Sequence, residues 1–115
     1  MPTDVRPWQG GSRITVAEGL SRLPTPDGKR FVKLFERGDV EVELYAPRGH
    51  DPQTPHARDE IYIVASGHGT FLCGEARTPF APGDFLFVPA GVEHRFEDFT
   101  DDFATWVVFF GMAES

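Results

Sequence analysis

The chain has 115 residues, 40% hydrophobic and 25% charged, which is the composition of one globular domain. Its formal net charge is −7, and no local cluster of Lys or Arg interrupts this negative balance. A negative surface repels phosphate groups, so we expect no binding to nucleic acid or to an anionic membrane surface. The single cysteine, Cys73, excludes an intramolecular disulfide.

The N-terminal residues lack the basic start and apolar block of a signal peptide, and no run has the roughly 18 apolar residues of a membrane span. We therefore expect a cytoplasmic protein. Residues 1–12 are expected to be loosely ordered, because Pro2, Pro7, Gly10 and Gly11 resist regular structure. Residues 13–115 are expected to form a single domain.

Along that domain, short runs rich in Val, Ile and Phe alternate with Gly and Pro, which is typical of many short strands joined by turns. The pattern predicts one short helical turn over Ala17–Leu23 and an otherwise all-β fold. The predicted strands cover Arg13–Val16, Arg30–Glu36, Val40–Ala46, Glu60–Ala65, Gly69–Cys73, Arg77–Phe80, Asp84–Val88, His94–Glu97 and Ala104–Phe110.

Two compositional features of these strands bear on the interior. Val40–Tyr45 alternates apolar and acidic residues, which predicts a strand with one face in water. The chain also contains 11 phenylalanines, most of them in its second half. We expect most of these rings to fill the interior and a few to line a ligand pocket.

The first stretch that points to chemistry surrounds His56 and Glu60. Residues four apart in a strand point to the same face, so the imidazole and the carboxylate are expected to converge. Such a pair forms half of a metal site. Tyr62 shares the face of Glu60 by the same alternation. It is a candidate catalytic residue of the pocket, although a tyrosine at such a position is more often part of the core.

The second stretch runs from Gly83 to His94. Gly83 opens a turn, a buried strand follows, and Pro89 and Gly91 form a second tight turn. The chain then folds back and presents His94 at the start of the next strand. The backbone chemistry of the turn therefore sets the position of this histidine.

This second stretch resembles the second motif of the cupin superfamily, Gly-x5-Pro-x-Gly-x2-His-x3-Asn. Gly83, Pro89, Gly91 and His94 match the motif at every spacing. Asp98 stands where the family often has Asn.

The first stretch resembles the first cupin motif, which comprises a glycine, a His-x-His pair, a glutamate and a later glycine. His56, Glu60 and Gly67 match it, and Thr54 occupies the place of the first histidine. The 15 residues between Gly67 and Gly83 are the short separation common in small single-domain bacterial cupins of the cupin-2 conserved-barrel type.

The resemblance implies a small β-barrel, a double-stranded β-helix or jelly roll, that holds a divalent metal with His56, Glu60 and His94. The fourth ligand position has three alternatives: the amide oxygen of Gln53, the hydroxyl of Thr54, or a water bridged by Thr54. Two histidines and one carboxylate form the ligand set of many non-haem Fe(II) oxygenases. The ion itself stays open among Fe, Mn, Ni, Co and Zn.

The same resemblance implies a metal-dependent oxygenase, isomerase or lyase that acts on a small organic molecule in the barrel. Glu60 would then be a ligand that also shuttles a proton. The alternative is a non-catalytic cupin that binds or senses a small molecule. Related cupins generally form homodimers through strands of the first half, which makes candidate contacts of Val32, Leu34, Val42 and Leu44.

Overall fold

The computed structural model describes residues 11–111, which contain one short helix and eight strands. The predicted all-β class is confirmed. The elements are α1 (Val16–Leu20), β1 (Phe31–Arg37), β2 (Val40–Tyr45), β3 (Asp59–Ser66), β4 (Gly69–Cys73), β5 (Ala76–Phe80), β6 (Phe85–Val88), β7 (His94–Glu97) and β8 (Ala104–Phe110).

The predicted strand over Arg13–Val16 is wrong, because the chain enters helix α1 at Val16. Thr15 is extended, and its side-chain oxygen accepts a hydrogen bond of 3.1 Å from the backbone N–H of Glu18. This interaction is an N-cap, which starts a helix rather than a strand. The predicted helical turn over Ala17–Leu23 is confirmed, and each of the other eight predicted strands lies within one residue of its observed bounds.

The strands form two antiparallel sheets that face each other. The larger sheet has the order β1-β2-β8-β3-β6, and the smaller has the order β5-β4-β7. The last strand of the chain thus lies between β2 and β3. This non-sequential order is that of a jelly roll, so the predicted architecture is confirmed.

Aromatic rings fill the space between the sheets, as predicted. Phe96 of β7 is buried, and its ring centroid lies 4.8 Å from Tyr62, 4.9 Å from Phe71 and 4.6 Å from Phe103. Contacts of this kind between buried rings add to the free energy gained by removing their surface from water. The interior is therefore packed by phenylalanines at one end.

Position 67, in the turn after β3, accepts only glycine for steric and conformational reasons. Its φ is +81°, a conformation that L side chains rarely adopt. A Cβ at this position would also lie 2.5 Å from the Cα of Phe103 and 2.8 Å from the side-chain oxygen of Thr100. The turn can approach the segment before β8 this closely only without a side chain.

Asp98 is the one non-glycine residue within 11–111 that has a positive φ, at 51°. Asn and Asp are both enriched in this left-handed conformation. Aspartate in place of the Asn of the motif therefore preserves the backbone at little cost.

The predicted loosely ordered segment, residues 1–12, lies outside the described residues except for residues 11 and 12, which belong to no helix or strand. Between residues 11 and 111, no helix combines the length and hydropathy needed to cross a bilayer.

The outer face of β6, β3 and β8 is apolar. Phe85 and Phe87 of the edge strand β6 are 60% and 47% exposed. They pair with Ile63 and Ile61 of β3, and directly opposed residues share a face. Trp106 of β8 lies on the other side of Ile63 and extends the same surface.

One of the four predicted dimer contacts does not reach the surface. Leu44 is fully buried, and a Cβ on Gly19 of α1 would lie only 2.6 Å from its Cδ2. Helix α1 therefore covers Leu44 and excludes it from contact with a second chain. Val32, Leu34 and Val42 are half-buried.

We expect the protein to form a homodimer through the outer face of β6, β3 and β8, because exposed apolar surface of this kind is usually covered. Light scattering at micromolar concentration should give twice the chain mass of 12.8 kDa. Phe87→Glu should shift the protein to monomer. Arg77→Glu on exposed β5 should leave the mass unchanged, and a wild-type monomer would contradict the prediction.

Candidate metal centre

His56, Glu60 and His94 converge inside the barrel, and their candidate ligand atoms all lie within 4.8 Å of one another. The Nε2 atoms of His94 and His56 lie 2.8 Å and 3.7 Å from Oε1 of Glu60. Ligand atoms about 2.1 Å from a shared ion are roughly 3 to 4 Å apart, so the cluster already has the size of a single-ion site.

Three different elements position these side chains. Glu60 is the second residue of β3 and His94 the first of β7, whereas His56 lies in the loop before β3. His56 and Glu60 therefore do not share one strand, and that prediction is wrong, although the predicted convergence of the two side chains is found. A hydrogen bond of 2.8 Å, donated by the N–H of Gly91 to the carbonyl of His56, ties this loop to the second motif.

The chemistry of the His94–Glu60 contact fits a bound cation. Nδ1 of His94 lies 2.9 Å from the carbonyl oxygen of Val92, which can only accept, so Nδ1 carries the hydrogen. In the neutral ring, Nε2 then presents a lone pair to the carboxylate. Within residues 11–111, Nε2 and both Glu60 oxygens are buried without a hydrogen-bond partner, despite the 2.8 Å approach. Acceptors so placed need a cation or a proton between them.

The electrostatics of His94 follow from the same contact. Burial lowers its pKa, but a protonated ring would be stabilised by the carboxylate of Glu60 and by the Val92 carbonyl, and these two effects raise the pKa above its ordinary value overall. The position that attracts a proton is also the one that would hold a metal. Protons and metal therefore compete there, and metal binding weakens as the pH falls.

Gln53 is a further side chain whose oxygen lies beside the cluster. Its Oε1 lies 3.2 Å from Nε2 of His56 and accepts a hydrogen bond of 2.8 Å from the hydroxyl of Tyr62. Its amide nitrogen donates to Oδ2 of Asp51 at 2.7 Å. That bond fixes which end of the amide faces the centre, so an oxygen rather than an NH2 group points at the ligands.

Thr54 is exposed and lies in the loop before β3, so no strand holds its side chain toward the cluster. It does line the cavity beside His56. Its role as a ligand, through the hydroxyl or a bridging water, stays a prediction.

Tyr62 lies next to the centre but is fully buried among the aromatic rings of the core. Burial first, and then the charge of Glu60, raise the pKa of its hydroxyl well above the ordinary value. The group therefore remains a hydrogen-bond donor, and it holds the carbonyl end of Gln53. Its assignment to catalysis, like that of Glu60, stays a prediction.

A cavity of about 650 Å³ opens beside the cluster. Its wall includes the polar residues His56, Gln53 and Thr54 and the apolar residues Phe31 and Phe109. These two rings match the expectation that a few phenylalanines line a pocket. The volume suits a small organic molecule.

Glu43 of β2 is a cavity residue that the sequence did not single out. Burial, with the charges of Glu41 and Glu60, raises its pKa to about 7. The acidic face predicted over Val40–Tyr45 is therefore not wholly in bulk water, because Glu43 lines the cavity, while Glu41 is partly exposed and pairs with Arg58 at 3.3 Å.

Asp51 is a second residue that the sequence did not single out. It is only 7% exposed, and its Oδ1 accepts a hydrogen bond from the hydroxyl of Tyr45. Its Oδ2 accepts from the backbone N–H of Phe96 at 2.8 Å as well as from Gln53. No local pattern marks this aspartate, because its partners come from β2, β7 and its own loop.

A jelly roll that encloses a His-Glu-His cluster defines the cupin class of proteins. Residues 41–110 match the Cupin_2 family, described as the cupin domain, and the chain belongs to it. This chain is 41% identical over 85 residues to an uncharacterized protein of Streptomyces coelicolor. The aligned region covers 72% of this chain and 80% of that relative.

Solved structures show the same fold. A cupin 2 conserved barrel domain protein from Salinispora arenicola superposes with a TM-score of 0.66 at 23% identity, over 88% of each chain. A cupin-2 domain-containing protein from Shewanella frigidimarina superposes with a TM-score of 0.65 at 19% identity, over 85% of this chain and 94% of that one.

Glu43→Gln should stabilise the protein at high pH. The folded pKa of Glu43, about 7, exceeds the ordinary value of 4.5, so charging this group above pH 4.5 favours unfolding. From pH 5 to pH 8, wild type should lose on the order of 1–2 kcal/mol relative to the variant, allowing for solvent screening. Urea unfolding at both pH values measures this difference.

The matched control is Glu75→Gln, at an exposed glutamate between β4 and β5. It should track wild type at both pH values. Parallel pH dependence of wild type and Glu43→Gln would show that residue 43 does not titrate in this range.

Proposed function

We propose that this cupin is a metal-dependent enzyme that acts on a small organic molecule in the cavity beside His56, Glu60 and His94. One observation carries the proposal: the buried acceptor atoms of Glu60 and His94 face each other without a partner within residues 11–111. Buried polar atoms in a barrel with a purely structural role are normally hydrogen-bonded, and exceptions mark functional sites.

The residues that would hold the ion are His56, Glu60 and His94, with Oε1 of Gln53 as the fourth donor. A divalent ion bound there would supply Lewis-acid polarisation of a substrate oxygen, or activation of O₂ if the ion is iron. His94 is already oriented for this task by its bond to the Val92 carbonyl.

Glu43 is the feature that favours an enzyme over a passive binding barrel. Burial raises the pKa of this carboxyl above its ordinary value, so Glu43 holds a proton nearer to neutral pH than an exposed glutamate does. It lines the same cavity as His56, so it can give a proton to a bound molecule or take one from it. Phe31 and Phe109 line the same cavity, and the ring of Phe109 lies 5.2 Å from that of His56, so both offer apolar contacts to the body of a bound molecule.

We expect one divalent ion per chain when the protein is purified with Fe, Mn, Ni, Co or Zn. His56→Ala and His94→Ala should each weaken binding at least about tenfold, because each removes a ligand. His68→Ala, at an exposed histidine, serves as the control. Elemental analysis gives occupancy, and circular dichroism checks the fold. Wild type without stoichiometric metal in all five cases would overturn the proposal.

The fourth donor is identified by comparing Gln53→Ala with Thr54→Val. We expect Gln53→Ala to weaken Ni(II) binding about tenfold and Thr54→Val to change it less than twofold, since Oε1 of Gln53 lies 3.2 Å from Nε2 of His56. Isothermal titration measures both affinities, and thermal unfolding shows whether each variant is folded. The reverse order would assign the position to Thr54.

A further inference from the structure

Two arginines meet at the wall of the cavity. Nε of Arg30 donates to the carbonyl oxygen of Ala46 at 2.8 Å, and Nη1 of Arg48 approaches the same oxygen at 3.3 Å. Nη1 of Arg48 also donates to the carbonyl of Pro47 at 3.1 Å. Two guanidinium groups that share one acceptor must lie close together, and both line the cavity that contains His56.

The charge of this arginine pair, Arg30 and Arg48, is not balanced within residues 11–111, where neither forms a salt bridge with a carboxylate. Arg58, Arg77 and Arg95 all have such partners, at 2.9 to 3.3 Å. The chain carries 18 acidic residues against 11 basic ones, so carboxylates are abundant. Arg13, Arg22 and Arg37 also lack such a partner within residues 11–111, but only Arg30 and Arg48 share one acceptor and line one cavity, and this pairing leaves a place for an external anion.

The two arginines also repel each other. Burial and the neighbouring charge of Arg48 both lower the pKa of Arg30. A bound anion would relieve this repulsion. Glu43 is the acidic member of the described cavity wall, and its pKa of about 7 leaves it partly neutral, so it opposes an incoming anion only weakly.

We propose that Arg30 and Arg48 bind the carboxylate of the substrate, which is therefore a small organic acid with an apolar body. The inference rests on the proposed function, because it names the substrate class of the same cavity. Guanidinium groups match carboxylates through paired, charge-assisted hydrogen bonds. Phe31 and Phe109 provide apolar contacts within the same wall, and His56 lies in the same cavity.

Phenylacetate and phenylacetamide test the idea, because they share size and shape but differ in charge. Dissociation constants come from titrations of the full chain followed by protein NMR, with the protein first freed of metal and then loaded with Zn(II). We expect wild type to prefer phenylacetate at least about tenfold in both forms. Arg48→Gln should reduce the preference to below twofold.

Arg77→Gln makes the same change of net charge outside the cavity and should keep the preference. Arg30→Lys retains a charge but loses the planar fork, so it should weaken phenylacetate binding and leave phenylacetamide unchanged. If Arg48→Gln fails to fold, Arg30→Lys tests whether the arginine pair binds the carboxylate.

The outcomes separate this inference from the proposed function. Equal binding of acid and amide to wild type overturns the arginine site whatever the metal content. So does an acid preference that appears only with Zn(II) and survives Arg48→Gln, since the metal would then hold the carboxylate. An acid preference that depends on Arg48, in a protein that binds no metal, supports the arginine site and overturns the proposed function alone.

Discussion

The carboxylate of Asp51 is the contact on which the geometry of the centre depends. It joins the hydroxyl of Tyr45 in the larger sheet, the backbone of Phe96 in the smaller sheet and the side chain of Gln53 in the loop between them. Burying a carboxylate is costly unless hydrogen bonds occupy its lone pairs, and these three bonds meet that need for Asp51. The loop that carries Gln53 and His56 is thereby fixed to both sheets independently of any ion.

The interior of the protein contains two different regions beside Asp51, one aromatic and one polar. The aromatic region around Phe96 is closely packed and stabilises the fold through burial of apolar surface. The polar region sets Glu60 against His94 without hydrogen bonds, which costs free energy. The rigid packing of the aromatic region holds the side chains of the polar region in position for a ligand. A preorganised site is usually built in this way.

Sequence patterns predicted most of the fold, because turn residues and apolar runs are local signals. They failed at Arg13–Val16, where the cap formed by Thr15 overrides the apolar content. The cluster of His56, Glu60 and His94 was also predictable, since motif spacing identifies its members. Asp51 and the arginine pair were not, because their partners lie on other elements and only the folded chain brings them together.

Gly67 shows that a cupin motif mixes two kinds of residue. The glycine is demanded by the close passage of Phe103 and by its own positive φ, neither of which involves a metal. A descendant of this protein that lost His56 or His94 would still be constrained at Gly67 by the same steric conflict. A glycine of the motif therefore indicates the family and the fold of a protein. Whether such a protein can still bind a metal must be judged from the histidines and the glutamate alone.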